Sequence, residues 1–582
     1  MKFLEKFIII ILSACLLLTG CKKAGFLDIT PDGRISLDDV FADQLKTESY
    51  LNTAYQYLPW GGVYYLYYAM LAAFTDDAWS SDAPSITWAP AYLWYQGSLT
   101  PSNNPFDAGS FPANDINRYD RNWSGIRTAN TFLANIDRAN VTDPDLKQRM
   151  KGEAWTLRAY YYFHLIRKYG GMPIISQPLP ASYNFDTLER QSYEDCTNFI
   201  VQYCDSAIAN PSLPWRNTTS ADAGRFTKAV AYALKSEALL FAASPLWNSS
   251  NDMARWQEAA EASNEALKAL TSQGYALYPN YEQYFYISPD YSASPNDKET
   301  IYAHMFYGAQ YPFNMLMFRM QSCLNADKAG SCPSQELVDS YDMANGQEAI
   351  LGYSDADQLQ PIINPASGYD DADPYKNRDP RFYATVWYNN EYYGVLNGQD
   401  YYIESYIGGS AGISDIRQRT HTGYYLRKYR DPQVTTTSAG NESFREFRLA
   451  EIYLNYAEAE NEAVGPTADV YNAVNKIRER AGMPDLPGGL SQDDMRERIH
   501  RERRVELPYE EKRFYDVRRW KILDKVDKVA TGMAWTKNAN GTFTNKRIVV
   551  GHKNSWADKY LIFPIPIGEI SKMPAFTQNP GW

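Results

Sequence analysis

The sequence is short of the features that mark several large functional classes. Lys and Arg number 57 against 69 Asp and Glu in 582 residues, a net charge of −12, and no basic run occurs. Nucleic-acid affinity comes largely from cations set against phosphates, so this balance argues against a nucleic-acid binder and disfavours a polyanionic ligand. Beyond the first twenty residues no stretch approaches eighteen consecutive apolar residues, so the rest of the chain is not expected to cross a bilayer as a helix. Histidine is scarce, five in all, with no H-E-x-x-H spacing, and the six cysteines show no C-x-x-C or Cys/His metal pattern. Usage is otherwise ordinary, 45% hydrophobic and 22% charged, which excludes disorder and collagen-like repetition.

Aromatic residues are the surplus. There are 47 Tyr, 24 Phe and 14 Trp, 15% of the chain, with Tyr about twice as frequent as Phe. A core can be packed with Phe, whereas excess Tyr suggests rings with one wet edge, at binding surfaces or half-buried between helices. Composition alone does not divide the two. The length, at roughly 150 residues per domain, allows three or four units or one large scaffold.

The first twenty residues read as an address. Lys2 and Lys6 precede a twelve-residue apolar stretch, Phe7 to Leu18, too short for a membrane span and right for a signal-peptide core. Leu18-Thr19-Gly20-Cys21 then resembles the bacterial lipoprotein cleavage signal, in which Cys21 is acylated and becomes the first mature residue. Several acyl chains on one residue give the stable anchoring that a single chain does not. The expected division is a signal peptide at 1–20, a lipidated N-terminus and tether at 21–40, and a single unit at 41–582.

Within that unit, helical spacing runs from about 120 to 275. Glu153 to Tyr169 predicts a strong amphipathic helix stopped by Gly170-Gly171-Met172-Pro173, and Ala468 to Arg480 another, stopped by Ala481-Gly482-Met483-Pro484. The recurrence, with the Ala159-x3-Phe163 step, resembles tetratricopeptide packing and predicts helical hairpins. The scaffold is expected mainly at 41–75, 120–275 and 441–525, with variable loops at 76–115 and 276–440, where Tyr, Asn, Asp, Gly and Pro dominate and only short β-like runs occur. Long irregular stretches on a rigid scaffold commonly carry binding loops. Cys196 and Cys204 lie about 12 Å apart along a predicted helix, too far to bond. Cys323 and Cys332 flank a Gly-containing loop and are spaced to close a small disulfide ring.

Catalytic signatures are weak. Gly408-Gly409-Ser410-Ala411-Gly412 matches a nucleophile elbow as text, but the expected strand–turn–helix and β/α surroundings are missing. The acids Asp370, Asp371, Asp373 and Asp379 lack the order and glycine of a calcium-binding loop, so no motif supports a structural calcium ion and no cofactor or metal is expected. Asp76-Asp77 is a poor glycosidase pair, because such carboxylates stand ~5 to 9 Å apart across a sugar; a helix cap or a sugar-hydroxyl acceptor is the better reading. His164 sits in an aromatic helix and reads as a satisfied core residue.

The strongest pattern is a set of segments in order. FRLAEIYLNYAEAE (Phe447 to Glu460), NKIRERAGMP (Asn475 to Pro484), RERRVELPYEEKRFYDVRRW (Arg501 to Trp520) and FPIPIGEI…QNPGW (Phe563 to Trp582) resemble the SusD/RagB family of Bacteroidetes outer-membrane nutrient-binding lipoproteins. Upstream, RAYYYFHLIRKYGGMP (Arg158 to Pro173) and RDPRF (Arg378 to Phe382) are similar to it as well. The charged residues of these segments read as structural: Arg513, Asp516 and Arg519 are expected to form an ionic network that locks a helix to the scaffold. The resemblance implies a mainly α fold of four tetratricopeptide-like units with a loop-rich variable half, no catalysis, and a SusC-type TonB-dependent outer-membrane barrel as partner. It places the chain on the outer membrane facing outward, although Lys22-Lys23, rather than acidic residues, follow Cys21.

A glycan site needs exposed aromatic platforms with polar groups beside them. The sequence offers Asp76, Asp77, Trp79, Trp88, Tyr92, Trp94 and Tyr95 in one Pro- and Ser-rich stretch, and Tyr307, Tyr311 and Phe313 before Cys323. Both are expected ligand-binding clusters. The leading expectation is capture of an oligo- or polysaccharide for delivery to the barrel; capture of peptides or another nutrient stands second, and a surface glycoside hydrolase is remote.

Overall fold

The computed structural model describes residues 35–58, 69–104, 106, 119–304, 328–396, 398–430 and 444–582. Its frame is a series of helices: α1 (Gln44–Tyr55), α2 (Tyr119–Asn135), α3 (Pro144–Tyr169), α4 (Tyr193–Ala209), α5 (Lys228–Ala243), α6 (Met253–Ser272), α7 (Leu449–Val464), α8 (Ala468–Ala481), α9 (Gln492–Glu506) and α10 (Lys512–Arg519). Each is delimited by local chemistry. Asp143 caps α3 by accepting from the backbone N–H groups of Asp145 and Leu146, with Pro144 in the first turn where no amide partner is needed. Gly170 at φ +76° ends it, and Gly482, also at φ +76°, ends α8, so both Gly-Met-Pro stops work through left-handed glycines.

The helices pack in sequence, α1 on α2, α2 on α3, and so on to α6, and α7 then packs against α6. The stack is therefore continuous in space although the chain between α6 and α7 wanders for some 176 residues, 273 to 448. Such a run of antiparallel helical pairs is the tetratricopeptide-like architecture expected from the sequence.

The central helix differs from the amphipathic element predicted. From Gly152 to Tyr169 nearly every side chain of α3 is buried, because α2, α4 and α5 all cover it. Its consecutive tyrosines are core residues whose hydroxyls find partners: Tyr160 donates to Glu446, Tyr161 to the Ala54 carbonyl and Tyr162 to the Pro173 carbonyl. Much of the tyrosine surplus is thus packing with a satisfied polar tip. His164 is buried and bonded to Glu446 as well, the satisfied core residue that was expected.

The strands of three or more residues are β1 (Ala78–Ser80), β2 (Thr300–His304), β3 (Ser331–Pro333), β4 (Ile350–Tyr353), β5 (Pro361–Ile363), β6 (Tyr392–Leu396), β7 (Gln399–Tyr402), β8 (Phe444–Arg448), β9 (Val529–Lys537) and β10 (Phe543–His552). They form antiparallel pairs, β1–β3, β2–β8, β4–β5, β6–β7 and β9–β10. The β2–β8 pair, with His304 opposite Phe444 and Thr300 opposite Arg448, closes the neck of the long insertion.

Buried charge fastens that insertion to the scaffold. Glu506 on α9 receives Arg381 (3.0 Å) and Arg448 (2.7 Å), and Arg480 of α8 also bonds it. Arg448 reaches Glu510 (2.6 Å) and Glu299 (2.7 Å) too, and Lys428 pairs with Glu510 at 2.7 Å. A second cluster joins Arg519 to Asp516 (2.8 Å) and Glu458, with Arg503 3.3 Å from Asp516. The network expected at Arg513, Asp516 and Arg519 is present in part: Arg513 leaves it for Asp76, 2.7 Å away.

Candidate functional site

The structure divides the first predicted cluster. β1 pairs with β3 so that Trp79 stands opposite Cys332, and the Trp79 and Tyr95 rings stack at 4.0 Å and 20°. Tyr95 Oη donates to the Ala73 carbonyl (2.7 Å) and accepts from the Ser80 amide (3.0 Å). Trp94 packs edge-on against Phe74, Phe106, Tyr560 and Phe563. Trp79, Trp94 and Tyr95 are therefore core residues, not ligand platforms. Their Pro- and Ser-rich flanks concealed this, because the rings that bury Trp94 arrive partly from the far C-terminus.

Asp76 and Asp77 are likewise committed. Arg513 holds Asp76 through two nitrogens at 2.9 and 2.7 Å, and Arg504 Nε lies 2.8 Å from Asp77 Oδ1. Burial alone would raise Asp76, but Arg504 and Arg513 outweigh it and hold the carboxyl below its ordinary range. Burial raises Asp77, and Arg504 only partly offsets it. Neither acid is a helix cap or an open sugar acceptor, as the sequence suggested; the pair ties the N-terminal segment to α9 and α10.

Two residues of the cluster keep contact with solvent. Trp88 is 51% exposed and Tyr92, in the short helix Pro90–Tyr95, is half-buried. The turn that carries Trp88 is firmly built. The Ile86 amide donates to the Asp82 carbonyl (2.7 Å), and Ser85 Oγ donates to the Asp415 carbonyl (2.6 Å). The Asp82 carboxylate meets Arg417 at 3.1 Å and Lys328 at 4.0 Å. An exposed indole thus follows a hydrogen-bonded turn whose Asp82 carboxylate, like Lys328, is buried in an ion pair.

A second outward aromatic pair went unrecognised in the sequence. On the β6–β7 hairpin, Tyr392 and Tyr402 are 46% and 49% exposed, with ring centroids 5.4 Å apart at 62°. Tyr392 Oη donates to Asp400 at 3.2 Å. The inner face holds the hairpin down through Tyr393 on Trp387 (4.8 Å) and Tyr401 on Ser410 (3.0 Å). The Asn397-Gly398 dipeptide between two Tyr-Tyr pairs was the available hairpin signal.

Tyr307, Tyr311, Phe313, Cys323 and Cys21 lie outside the described residues. The expected Cys323–Cys332 ring therefore involves a residue outside the described ones; Cys332 itself is buried within the β1–β3 pair, its thiol pushed up to about 12 by burial. Cys196 and Cys204 are buried free thiols. Of the acid cluster considered for calcium, Asp371 meets Arg547 at 2.8 Å, Asp379 meets Arg381 at 2.7 Å, and Asp370 accepts from the Ala372 amide.

Comparison with known proteins matches this architecture to one family. A model described as SusD family matches residues 298–582, and one described as starch-binding associating with outer membrane matches residues 26–240. The chain belongs to the SusD/RagB family. Among curated relatives, SusD-like protein P25 of Formosa agariphila is 24% identical over 71% of this chain and 72% of its own length. A solved SusD-like protein from Bacteroides fragilis superposes with a TM-score of 0.75 at 26% identity, covering 94% of this chain and 99% of that one. A laminarin binding SusD-like protein shares the fold at a TM-score of 0.59 and 22% identity, covering 93% and 100%. In this SusD-like chain no helix among the described residues is long and apolar enough to cross a membrane.

Proposed function

We propose that this chain is a lipid-anchored protein of the outer membrane, facing the exterior, that captures an oligo- or polysaccharide and passes it to a TonB-dependent transporter barrel, without catalysis of its own. The observation that carries the glycan reading is Trp88, a half-exposed indole just after a hydrogen-bonded turn. A pyranose presents a flat C–H face and a ring of hydroxyls; the indole supplies the apolar contact. The description of the N-terminal family match and the laminarin-binding neighbour support the same ligand class. Anchoring through Cys21 rests on the signal sequence, and the barrel on the family resemblance.

Isothermal titration against a panel of neutral polysaccharides and, separately, peptides tests the reading. Binding to at least one glycan is expected, weakened about tenfold or more by Trp88→Ala, which corresponds to about 1.4 kcal/mol. Binding to peptides alone would overturn it.

A further inference from the structure

Where α7 and α9 meet the β4–β5 hairpin lies a cleft of about 850 Å³, whose lining does not include Trp88 but does include Asp76 with its partners Arg504 and Arg513. Small-molecule sites generally fall between roughly 300 and 1,000 Å³, so the space is large enough for several sugar units. Its wall is a mosaic of charges already matched to one another. Arg501 reaches Glu348 at 2.7 Å, Arg496 reaches Glu462 at 2.6 Å, and Arg504 and Arg513 share Asp76. Carboxylates slightly outnumber cations in the lining, which disfavours an anionic ligand.

Such a wall suits a neutral polyol. Each sugar hydroxyl both donates and accepts, and guanidinium N–H groups beside carboxylate oxygens offer both roles at hydrogen-bonding distance without a net charge to desolvate. The apolar complement is present. His500 stacks on Trp520 at 3.5 Å and 17°, and burial pushes its imidazole down to about 3, so it stays neutral at any ordinary pH. Leu351, 56% exposed on β4, adds an aliphatic contact at the lining. Glu497, exposed on α9, adds an acceptor.

We infer that this cleft is a second carbohydrate-binding site, for a neutral oligosaccharide, on the helical scaffold. It takes its ligand class from the proposed function, but its geometry is independent of Trp88. Two sites on one chain would hold a long glycan at two points, raising its effective concentration at each.

The test is a titration of the full chain with maltohexaose, laminarihexaose and cellohexaose, read as stoichiometry and affinity, on wild type, Trp88→Ala, Leu351→Asp and Glu497→Ala. Leu351 and Glu497 are exposed, so melting temperatures should match wild type, and any variant that does not match is replaced by the other. Two binding events are expected in the wild type. Trp88→Ala should remove one, and Leu351→Asp or Glu497→Ala should weaken the other about tenfold or more. A single event abolished by Trp88→Ala and untouched by both cleft variants would overturn the second site and leave the first standing. Loss of binding only in the cleft variants would move the whole function to the cleft and overturn the role of Trp88. Failure of every hexasaccharide to bind the wild type, or binding of a peptide that the cleft variants abolish, would overturn the second site as drawn.

Discussion

Single residues decide how the charges of this protein are used. Burial would raise Glu506, yet Arg480, Arg448 and Arg381 override it and hold the carboxyl down to about 2, against an ordinary 4.5. A folded-state pKa below the unfolded value contributes stability that is present above about pH 4.5 and is lost as pH falls toward 2. The difference is worth roughly 3 kcal/mol. Denaturant unfolding from pH 6 to pH 2.5 should therefore show stability falling below pH 4.5, and Glu506→Gln should remove this part of the dependence. The substitution itself should cost about 3–5 kcal/mol at pH 7, since it leaves buried guanidinium groups short of a partner. An unchanged denaturation midpoint would show that the insertion is not fastened here.

At the scale of elements, the α2–α3 contact is set by a glycine. A Cβ on Gly125 would lie 2.4 Å from Tyr161 Cε2, so the Tyr161 ring occupies the space an alanine needs. Gly125→Ala should destabilise the fold by about 1–3 kcal/mol, the usual cost of overpacking, although alanine is the better helix former. A double-mutant cycle with Tyr161→Leu should show coupling between the two positions, and additive effects would contradict the contact. Elements were also what the sequence displayed best. The Gly-Met-Pro stops, the Ala-rich helices and the ordered charged segments are local signals, and local physics writes them. The β6–β7 hairpin was signalled by the Asn-Gly dipeptide of the sequence. What stayed hidden was that α3 would keep almost no exposed face beyond Gly152, since coverage from three sides depends on partners distant in sequence.

For the whole molecule, the same limit governed the site. Trp79, Trp94 and Tyr95 sit in a polar-looking segment, but C-terminal aromatics and β3 bury them, and Asp76 and Asp77 meet arginines more than four hundred residues later. Burial decided by such distant contacts cannot be read from a composition window. Trp88 alone of that cluster keeps a widely open ring, and Tyr392 and Tyr402 join it on the variable half. The continuous helical stack, closed by α6 against α7, then appears as a frame for a looped-out insertion held by a strand-paired neck and a buried ionic clamp. The central claim is that this variable half presents Trp88 to a glycan. The most direct measurement is a crystal structure of the full chain with the tightest-binding oligosaccharide from the titrations. A sugar ring stacked on the Trp88 indole is the result predicted; a sugar bound elsewhere with the Trp88 face empty would contradict it.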